Sequence, residues 1–101
     1  MLKILLSGCN GKMGQVVNDL VKDSDEFTIC CGFDKNISTN FKVPVFTKLE
    51  DINEIPDIII DFSIPIATLN ILDFAIKNNI PMVIATTGFS SSQEEIIFNA
   101  S

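Results

Sequence analysis

The chain has 101 residues, a formal net charge of −6, and no histidine, tyrosine or tryptophan. The lack of histidine excludes Ser-His-Asp triads, Cys-His pairs and His-liganded zinc sites within this chain, and the lack of tyrosine excludes a Tyr-Lys dehydrogenase pair. The acidic balance, with a pI near 4.3, opposes binding to a phosphate backbone, so we expect no nucleic-acid partner.

The composition, 47% hydrophobic and 20% charged, is typical of a globular domain, and a chain of this length supports one modest core. No apolar stretch approaches the ~20 residues of a membrane helix, so we expect no membrane partner. The three cysteines include the neighbours Cys30 and Cys31. In a strand, adjacent side chains point to opposite faces and cannot bridge, so free packing thiols in a cytoplasmic protein are expected.

The first third of the chain predicts a strand, a helix and a second strand. Residues Leu2 to Ser7 form a short apolar run, as a strand buried on both faces requires, and Phe27 to Phe33 is rich in β-branched and aromatic residues. Between them the apolar residues follow the spacing of an amphipathic helix: Met13, Val16, Val17, Leu20 and Val21. This order predicts one βαβ unit.

The middle of the chain predicts a second βαβ unit. After a weak region at 35–56, where 43–46 is at most a short edge strand because Pro44 lacks an amide hydrogen, residues 57–62 form an apolar core strand. Pro65 suits the first turn of a helix that ends at Asn78 and Asn79, and 81–85 is another buried strand. The predicted fold is α/β, a Rossmann-like doubly wound parallel sheet in three α/β/α layers.

The last segment predicts the start of a third helix. A serine followed three positions later by Gln or Glu, within 90–95, is a capping-box pattern. The apolar face that follows reaches Ser101 without a glycine cap or a further element. We therefore expect the fold to be C-terminally truncated and the chain to be a piece of a larger protein.

A glycine-rich turn separates the first predicted strand from the first helix. Gly8 permits a tight exit from the strand, Gly11 allows a pyrophosphate to approach the backbone, and Gly14 lets helix and strand pack closely. The helix start adds free amides and a partial positive charge. This arrangement predicts a dinucleotide-binding domain, and the length of the chain allows one domain over residues 1–101.

The second predicted strand ends at Asp34, which follows Gly14 by 20 residues. A dinucleotide-binding fold places a carboxylate there to accept hydrogen bonds from the adenosine ribose. Asp34 favours NADH, whereas Lys12 and Lys35 could neutralise a 2′-phosphate and permit NADPH. The alternatives are a solvated aspartate in a turn and two ordinary surface lysines.

Three sequence blocks carry a family resemblance. They are SGCNGKMG at 7–14, IDFS at 60–63 and IATTGF at 84–89. Together they resemble the nucleotide-binding domain of the 4-hydroxy-tetrahydrodipicolinate (dihydrodipicolinate) reductase family, and the resemblance extends over essentially the whole chain. Departures from the family pattern are Cys9 for alanine, Lys12 for arginine and Ala85 for glycine, and the second replaces a planar bidentate cation with a point charge.

The resemblance implies a set of cofactor-binding residues. At the pyrophosphate and adenosine end these are Gly8, Cys9, Asn10, Gly11, Lys12 and Met13; Asp34 and Lys35 lie at the ribose; and Ala85, Thr86 and Thr87 lie at the nicotinamide end. Sheet geometry adds Phe62 and Ser63, because the carboxyl ends of the strands around a topological switch point border one crevice. Ser63 has an equal alternative role as a cap of the following helix.

The resemblance also implies an activity for the whole enzyme: hydride transfer from NADH or NADPH to a cyclic imine dicarboxylate, in lysine and diaminopimelate biosynthesis. The family's second domain, which binds the dicarboxylate and supplies the acid, has no counterpart here, so this chain is expected to bind cofactor without catalysis. We expect a monomer or weak homodimer, and a homotetramer only for the whole enzyme.

Two other functions remain open on the sequence. The chain could be the NAD(P)-binding or coenzyme A-binding Rossmann domain of another oxidoreductase, or a nucleotide sensor without catalysis. Titration with NADH, NADPH and coenzyme A distinguishes them.

Overall fold

The computed structural model describes residues 2–35, 43–85 and 90–100. Within these residues, strands and helices alternate along most of the chain. In chain order they are β1 (Leu2–Ser7), α1 (Lys12–Val21), β2 (Phe27–Phe33), β3 (Val45–Phe46), a 3₁₀ turn (Leu49–Asp51), β4 (Ile58–Asp61), α2 (Pro65–Lys77), β5 (Met82–Ile84) and α3 (Ser91–Ala100).

The five strands form one parallel sheet in the order β3-β2-β1-β4-β5. The strand order reverses at β1, which pairs with β2 on one side and β4 on the other, so the predicted doubly wound sheet is confirmed. The predicted edge strand is also confirmed: β3 is two residues long, and the carbonyl of Pro44 just before it accepts a hydrogen bond from the Gly32 amide at 2.9 Å.

A β-bulge interrupts the pairing of β1 with β2. Ile4 lies opposite Ile29, but the next residue, Leu5, lies opposite Cys31, so Cys30 is the extra residue. A bulge breaks the alternation of side chains across a strand. The Sγ atoms of Cys30 and Cys31 are therefore only 3.6 Å apart, and both side chains pack against the same side of the core. The prediction that they point to opposite faces is wrong.

The sheet has a core on each face. On the α2 face the buried residues are Leu5, Cys31, Ile52, Ile59, Ile71, Ala75 and Ile80. On the α1 face they are Ile4, Leu6, Cys9 and Ile29, with Val17 and Val21 of the helix packed against them. Helix α1 thus covers one face, while α2, with α3 in contact with it, covers the other, which confirms the three-layer arrangement.

Only two of the five apolar residues that predicted α1, Val17 and Val21, pack against the sheet. Met13, Val16 and Leu20 are exposed, Leu20 by 73%, and Gly14 is the buried residue of this helix. The helix contacts the sheet and the glycine turn through its glycine and two valines, so its apolar face is wider than the surface that it buries.

The predicted helix boundaries of α2 and α3 are confirmed in detail. Helix α2 has Pro65 in its first turn, and the chain leaves it through Asn79, whose φ of 55° is left-handed. At the start of α3 the Ser90 hydroxyl accepts from the Gln93 amide at 3.2 Å, while the Gln93 side chain accepts from the Ser90 amide at 2.8 Å. This reciprocal pair is a capping box. In the described part of the chain, no helix has both the length and the apolar character needed to cross a membrane.

Candidate functional site

The turn between β1 and α1 requires glycine at its first position. Gly8 has a φ of +77°, a conformation that L side chains rarely adopt, and a Cβ there would lie 2.7 Å from the Phe62 carbonyl oxygen. The same turn is held by the Phe62 amide, which donates to the Ser7 carbonyl at 3.0 Å. The ends of β1 and β4 therefore lie in direct backbone contact, as the predicted switch point requires.

Gly14 brings α1 against this turn. A Cβ on Gly14 would lie 2.6 Å from the Cys9 carbonyl oxygen and 2.7 Å from that of Gly8, so only glycine allows the helix to approach so closely. The first-turn amides of an α-helix have no intrahelical partners, and at α1 the N-cap residue, Gly11, has no side chain to bind them. A Cβ on Gly11 would have one close neighbour, the Gly8 carbonyl oxygen at 3.3 Å.

The carboxylate of Asp34 lies beside the glycine turn. Its Oδ2 accepts a hydrogen bond from the Asn10 backbone amide at 2.9 Å, and its Oδ1 accepts one from the Lys35 amide at 2.7 Å. The Asp34 amide donates to the Phe46 carbonyl at 3.1 Å, which fixes the end of β2 against β3. The structure therefore brings together the glycine turn and the acidic residue that the sequence separates by 20 positions.

Two cavities open at the carboxyl ends of the strands and share the wall formed by the glycine turn and the β4–α2 connection. The first has a volume of about 310 Å³ and is lined by Gly8, Gly11, Phe33, Asp34, Lys35, Thr47, Phe62, Ser63, Ile64, Ala67 and Asn70. The second has a volume of about 340 Å³ and is lined by Gly8, Gly11, Lys12, Met13, Gly14, Phe62, Ser63, Ile64, Pro65 and Ala85. They lie side by side at this edge of the sheet, and the two together are called the cleft below.

Nine of the predicted site residues line this cleft. They are Gly8, Gly11, Lys12, Met13, Asp34, Lys35, Phe62, Ser63 and Ala85. Two predicted residues, Thr86 and Thr87, lie outside the described residues. The cleft carries Asp34 and Lys35 at one end and Lys12 and Ala85 at the other.

Cys9 and Asn10 do not line either cavity. The Cys9 side chain is fully buried in the α1-face core, and burial, followed by the nearby Asp34 charge, raises the pKa of its thiol to about 11. A cofactor would therefore meet the backbone of Cys9 rather than a reactive sulfur. Asn10 contributes the amide that Asp34 binds.

A buried polar network that the sequence did not predict lies behind the cleft. The carboxylate of Asp61, fully buried at the end of β4, accepts hydrogen bonds from the hydroxyls of Ser63 and Thr68 and from the Ser63 amide at 3.1 Å. Ser63 therefore does not cap α2, whose N-cap is Ile64 without a side-chain bond. A polar residue on an inward helical position, seven residues after a strand-end aspartate, was the available signal.

This network sets the backbone of the β4–α2 connection. Asp61 holds Ser63 from one side, and the Phe62 carbonyl rests where a Gly8 side chain would otherwise be. Nearby, the Ser7 hydroxyl is buried and has no hydrogen-bond partner among the residues that the structure describes. The shared wall of the two cavities is thus fixed by hydrogen bonds and by close backbone packing.

The arrangement suits an extended, phosphate-containing ligand. Glycines that keep side chains away from the turn, helix amides facing it, and exposed lysines at each end provide close approach and positive charge for a diphosphate. Asp34 offers a hydrogen-bond acceptor for hydroxyl groups. Within the described residues there is no group of three or more His, Cys, Asp or Glu side chains that could hold a metal.

Comparison with known proteins shows which family the chain resembles. The sequence model of the family described as "Dihydrodipicolinate reductase, N-terminus" matches residues 2–101. The chain is 42% identical over its full length to the 4-hydroxy-tetrahydrodipicolinate reductase of Caldanaerobacter subterraneus subsp. tengcongensis and covers 40% of that protein. It is 37% identical, over 92% of its length, to the enzyme of the same name from Clostridium novyi, of which it covers 37%.

A solved structure is similar over nearly the whole chain. The dipicolinate-bound dihydrodipicolinate reductase from Paenisporosarcina sp. TG-14 superposes with a TM-score of 0.81 at 26% identity, over 99% of this chain and 43% of that one. The chain thus spans about two fifths of the length of the curated relatives it matches. With the family model matching all but the first residue, this chain belongs to the family of dihydrodipicolinate reductase N-terminal domains.

Proposed function

We propose that this chain is the nicotinamide dinucleotide-binding domain of a 4-hydroxy-tetrahydrodipicolinate reductase. The observation that carries the proposal is the hydrogen bond between Asp34 and the Asn10 amide, because it joins the acidic strand end and the glycine turn in one cleft. A turn of glycines alone occurs in many proteins. A carboxylate placed beside such a turn, with a helix starting behind it, is the arrangement that recognises a ribose next to a diphosphate.

The geometry suggests how the cofactor lies in the cleft. The diphosphate would face the amides at the start of α1, between Gly8 and Met13, where no side chain intervenes at Gly11. The adenosine would occupy the cavity bounded by Phe33, Asp34 and Lys35. The nicotinamide would lie toward Ala85 and, by family resemblance, Thr86 and Thr87. When bound, the nicotinamide supplies the hydride.

We propose that NADH is the preferred cofactor and that NADPH is also accepted. The Asp34 carboxylate accepts hydrogen bonds and would repel a 2′-phosphate, which favours the free ribose hydroxyls of NADH. Lys35 lines the same cavity and is exposed, so its ammonium group could offset that repulsion when NADPH binds. Lys12, at the other end of the cleft, would act on the diphosphate.

For the whole enzyme we propose reduction of a cyclic imine dicarboxylate with this cofactor. The substrate's two carboxylates require a cluster of cationic groups, and the described cleft offers only Lys12 and Lys35, which the cofactor would occupy. Substrate binding and proton donation therefore belong to a further domain, and the chain by itself is expected to bind cofactor without turnover. The proposed assembly of this chain is a monomer or a weak homodimer, with the tetramer formed by the whole enzyme.

Isothermal titration calorimetry of the 101-residue chain tests the cofactor assignment. We expect binding of NADH and NADPH, competition by ADP-ribose, and weaker binding of coenzyme A. Preference for coenzyme A over both dinucleotides would contradict the proposal and favour a coenzyme A domain or sensor. Failure of every nucleotide to bind at millimolar concentration would contradict it as well.

A further inference from the structure

The bulge in β2 creates a pair of thiols with an unusual arrangement. Cys30 and Cys31 are neighbours in the chain, yet their Sγ atoms lie 3.6 Å apart and on the same side of the sheet. In a regular strand the two would be separated by the sheet itself. Here the extra residue at Cys30 rotates its side chain toward that of Cys31.

This spacing matches the distance between two thiolates on one thiophilic atom. Zinc binds thiolate sulfur at about 2.3 Å, so two sulfurs on a tetrahedral zinc lie about 3.8 Å apart. Trivalent arsenic forms bonds to sulfur of comparable length and needs two or three such ligands. The pair could therefore bind one atom of this kind with small side-chain movements.

The surroundings of the pair separate it from the nucleotide cleft. Cys30 is half-buried and Cys31 is buried, and neither lines the two cavities at the strand ends. Lys3 and Glu54, which form a 3.1 Å ion pair at the surface, are the charged groups that act on Cys30. Burial raises the pKa of both thiols, so at neutral pH the pair carries protons rather than two adjacent negative charges.

We infer that Cys30 and Cys31 form a dithiol site that binds a single trivalent arsenic-like centre through both sulfurs. The half-buried Cys30 gives the first contact, and Cys31, held 3.6 Å away, closes the chelate. The inference is independent of the proposed cofactor function, because neither sulfur is part of the cleft.

The reaction with arsenite balances without a change in oxidation state. Arsenous acid, As(OH)₃, reacts with the two thiols to give a bis-thiolate As–OH adduct. Two S–H bonds and two As–OH bonds break, two As–S bonds form, and the two protons leave with the two hydroxyls as two molecules of water.

Native mass spectrometry of the reduced chain with sodium arsenite tests the site. We expect one arsenic per chain, retained after washing with excess glutathione, a monothiol, and removed by the dithiol 2,3-dimercaptopropanol. The variants Cys30→Ala and Cys31→Ala should each retain at least tenfold less arsenic. Cys9→Ala, which removes another buried thiol, is the matched control and should retain as much as the unmodified chain.

A thermal melt distinguishes the folded site from an unfolded pair of neighbouring cysteines. A ligand that binds the native state preferentially raises the melting temperature, so arsenite should raise that of the unmodified chain and leave that of Cys30→Ala unchanged. A lowered melting temperature would show capture by the unfolded chain and would overturn the inference. So would glutathione-resistant arsenic on Cys30→Ala, or no adduct on the unmodified chain.

Discussion

The Oδ2 atom of Asp34 lies 2.9 Å from the backbone nitrogen of Asn10, so the end of β2 is hydrogen-bonded to the middle of the glycine turn. The second carboxylate oxygen accepts from the Lys35 amide and keeps the side chain turned toward the cleft. In this arrangement the residue proposed to bind the ribose also supports the turn proposed to bind the diphosphate. A substitution at Asp34 should therefore weaken the binding of both the adenosine ribose and the diphosphate of the cofactor.

Replacing Asp34 with alanine should weaken NADH binding by about 10- to 100-fold, because hydrogen bonds to a charged group contribute about 1.5–3 kcal/mol. NADPH should lose less, since the repulsion of its 2′-phosphate disappears at the same time. Calorimetric titration measures both affinities. Asp23→Ala, at an exposed residue after α1, is the control and should bind both cofactors normally. Equal losses in the two variants would contradict a role for Asp34 in the cleft.

The two glycines of the turn should respond differently to alanine. Gly8→Ala combines a φ of +77° with a 2.7 Å approach to the Phe62 oxygen, so a loss of stability of about 2 kcal/mol or more is expected. Gly11→Ala meets only the Gly8 oxygen at 3.3 Å and should cost about 1 kcal/mol or less, yet weaken NADH binding by placing a methyl group in the cleft. Urea denaturation and NADH titration of both variants check this. A Gly11→Ala variant with normal NADH affinity would argue against a diphosphate at the turn.

Thr68→Val should destabilise the fold by about 1.5–3 kcal/mol, because the buried carboxylate of Asp61 loses a hydrogen-bond donor. Valine keeps the size and branching of threonine, so packing changes little. Thr47→Val, at an exposed residue of the cleft, is the matched control and should leave the free energy of unfolding in urea unchanged. If the two variants unfold at the same urea concentration, the network does not support the fold.

Alkaline pH should destabilise the chain through its buried thiols. The pKa of Cys9 rises from 9.0 to about 11 in the folded state, so between these values the unfolded chain loses the proton first. The free energy of unfolding should then fall as pH increases from about 9 to about 11, by at most about 2.7 kcal/mol from this thiol. Urea denaturation across that range measures the fall. Cys9→Ala should show a shallower slope, and an unchanged slope would contradict the assignment.

We expect the exposed apolar side chains of α1 to favour weak self-association. Val16 and Leu20 lie one turn apart on the solvent side of the helix, and Leu20 is 73% exposed. Sedimentation equilibrium at high concentration should show a weak dimer that Leu20→Glu reduces. Ile55→Glu changes an exposed isoleucine elsewhere and should have no effect. A clean monomer for the unmodified chain at high concentration would exclude the dimer.

Much of the fold could be predicted from local pattern. The apolar runs at Leu2–Ser7 and Ile58–Asp61, the proline that starts α2 and the Ser90–Gln93 capping box each act over a few residues, and all are present in the structure. Which apolar residues of α1 are buried was not predictable. Hydrophobic periodicity identifies a helix but does not say how much of its apolar face the sheet will cover.

For the site, the sequence by itself determined the glycine turn and the strand-end aspartate, since their spacing and order are chain properties. Tertiary structure decided that Asp34 binds the Asn10 amide and that a bulge at Cys30 brings two sulfurs together. It also decided that Ser63, with Thr68, binds the buried Asp61 instead of capping α2. These contacts depend on the register between strands and on the burial of a charge. Both are fixed only when distant segments pack, because no local pattern specifies which residue of one strand faces which residue of the next.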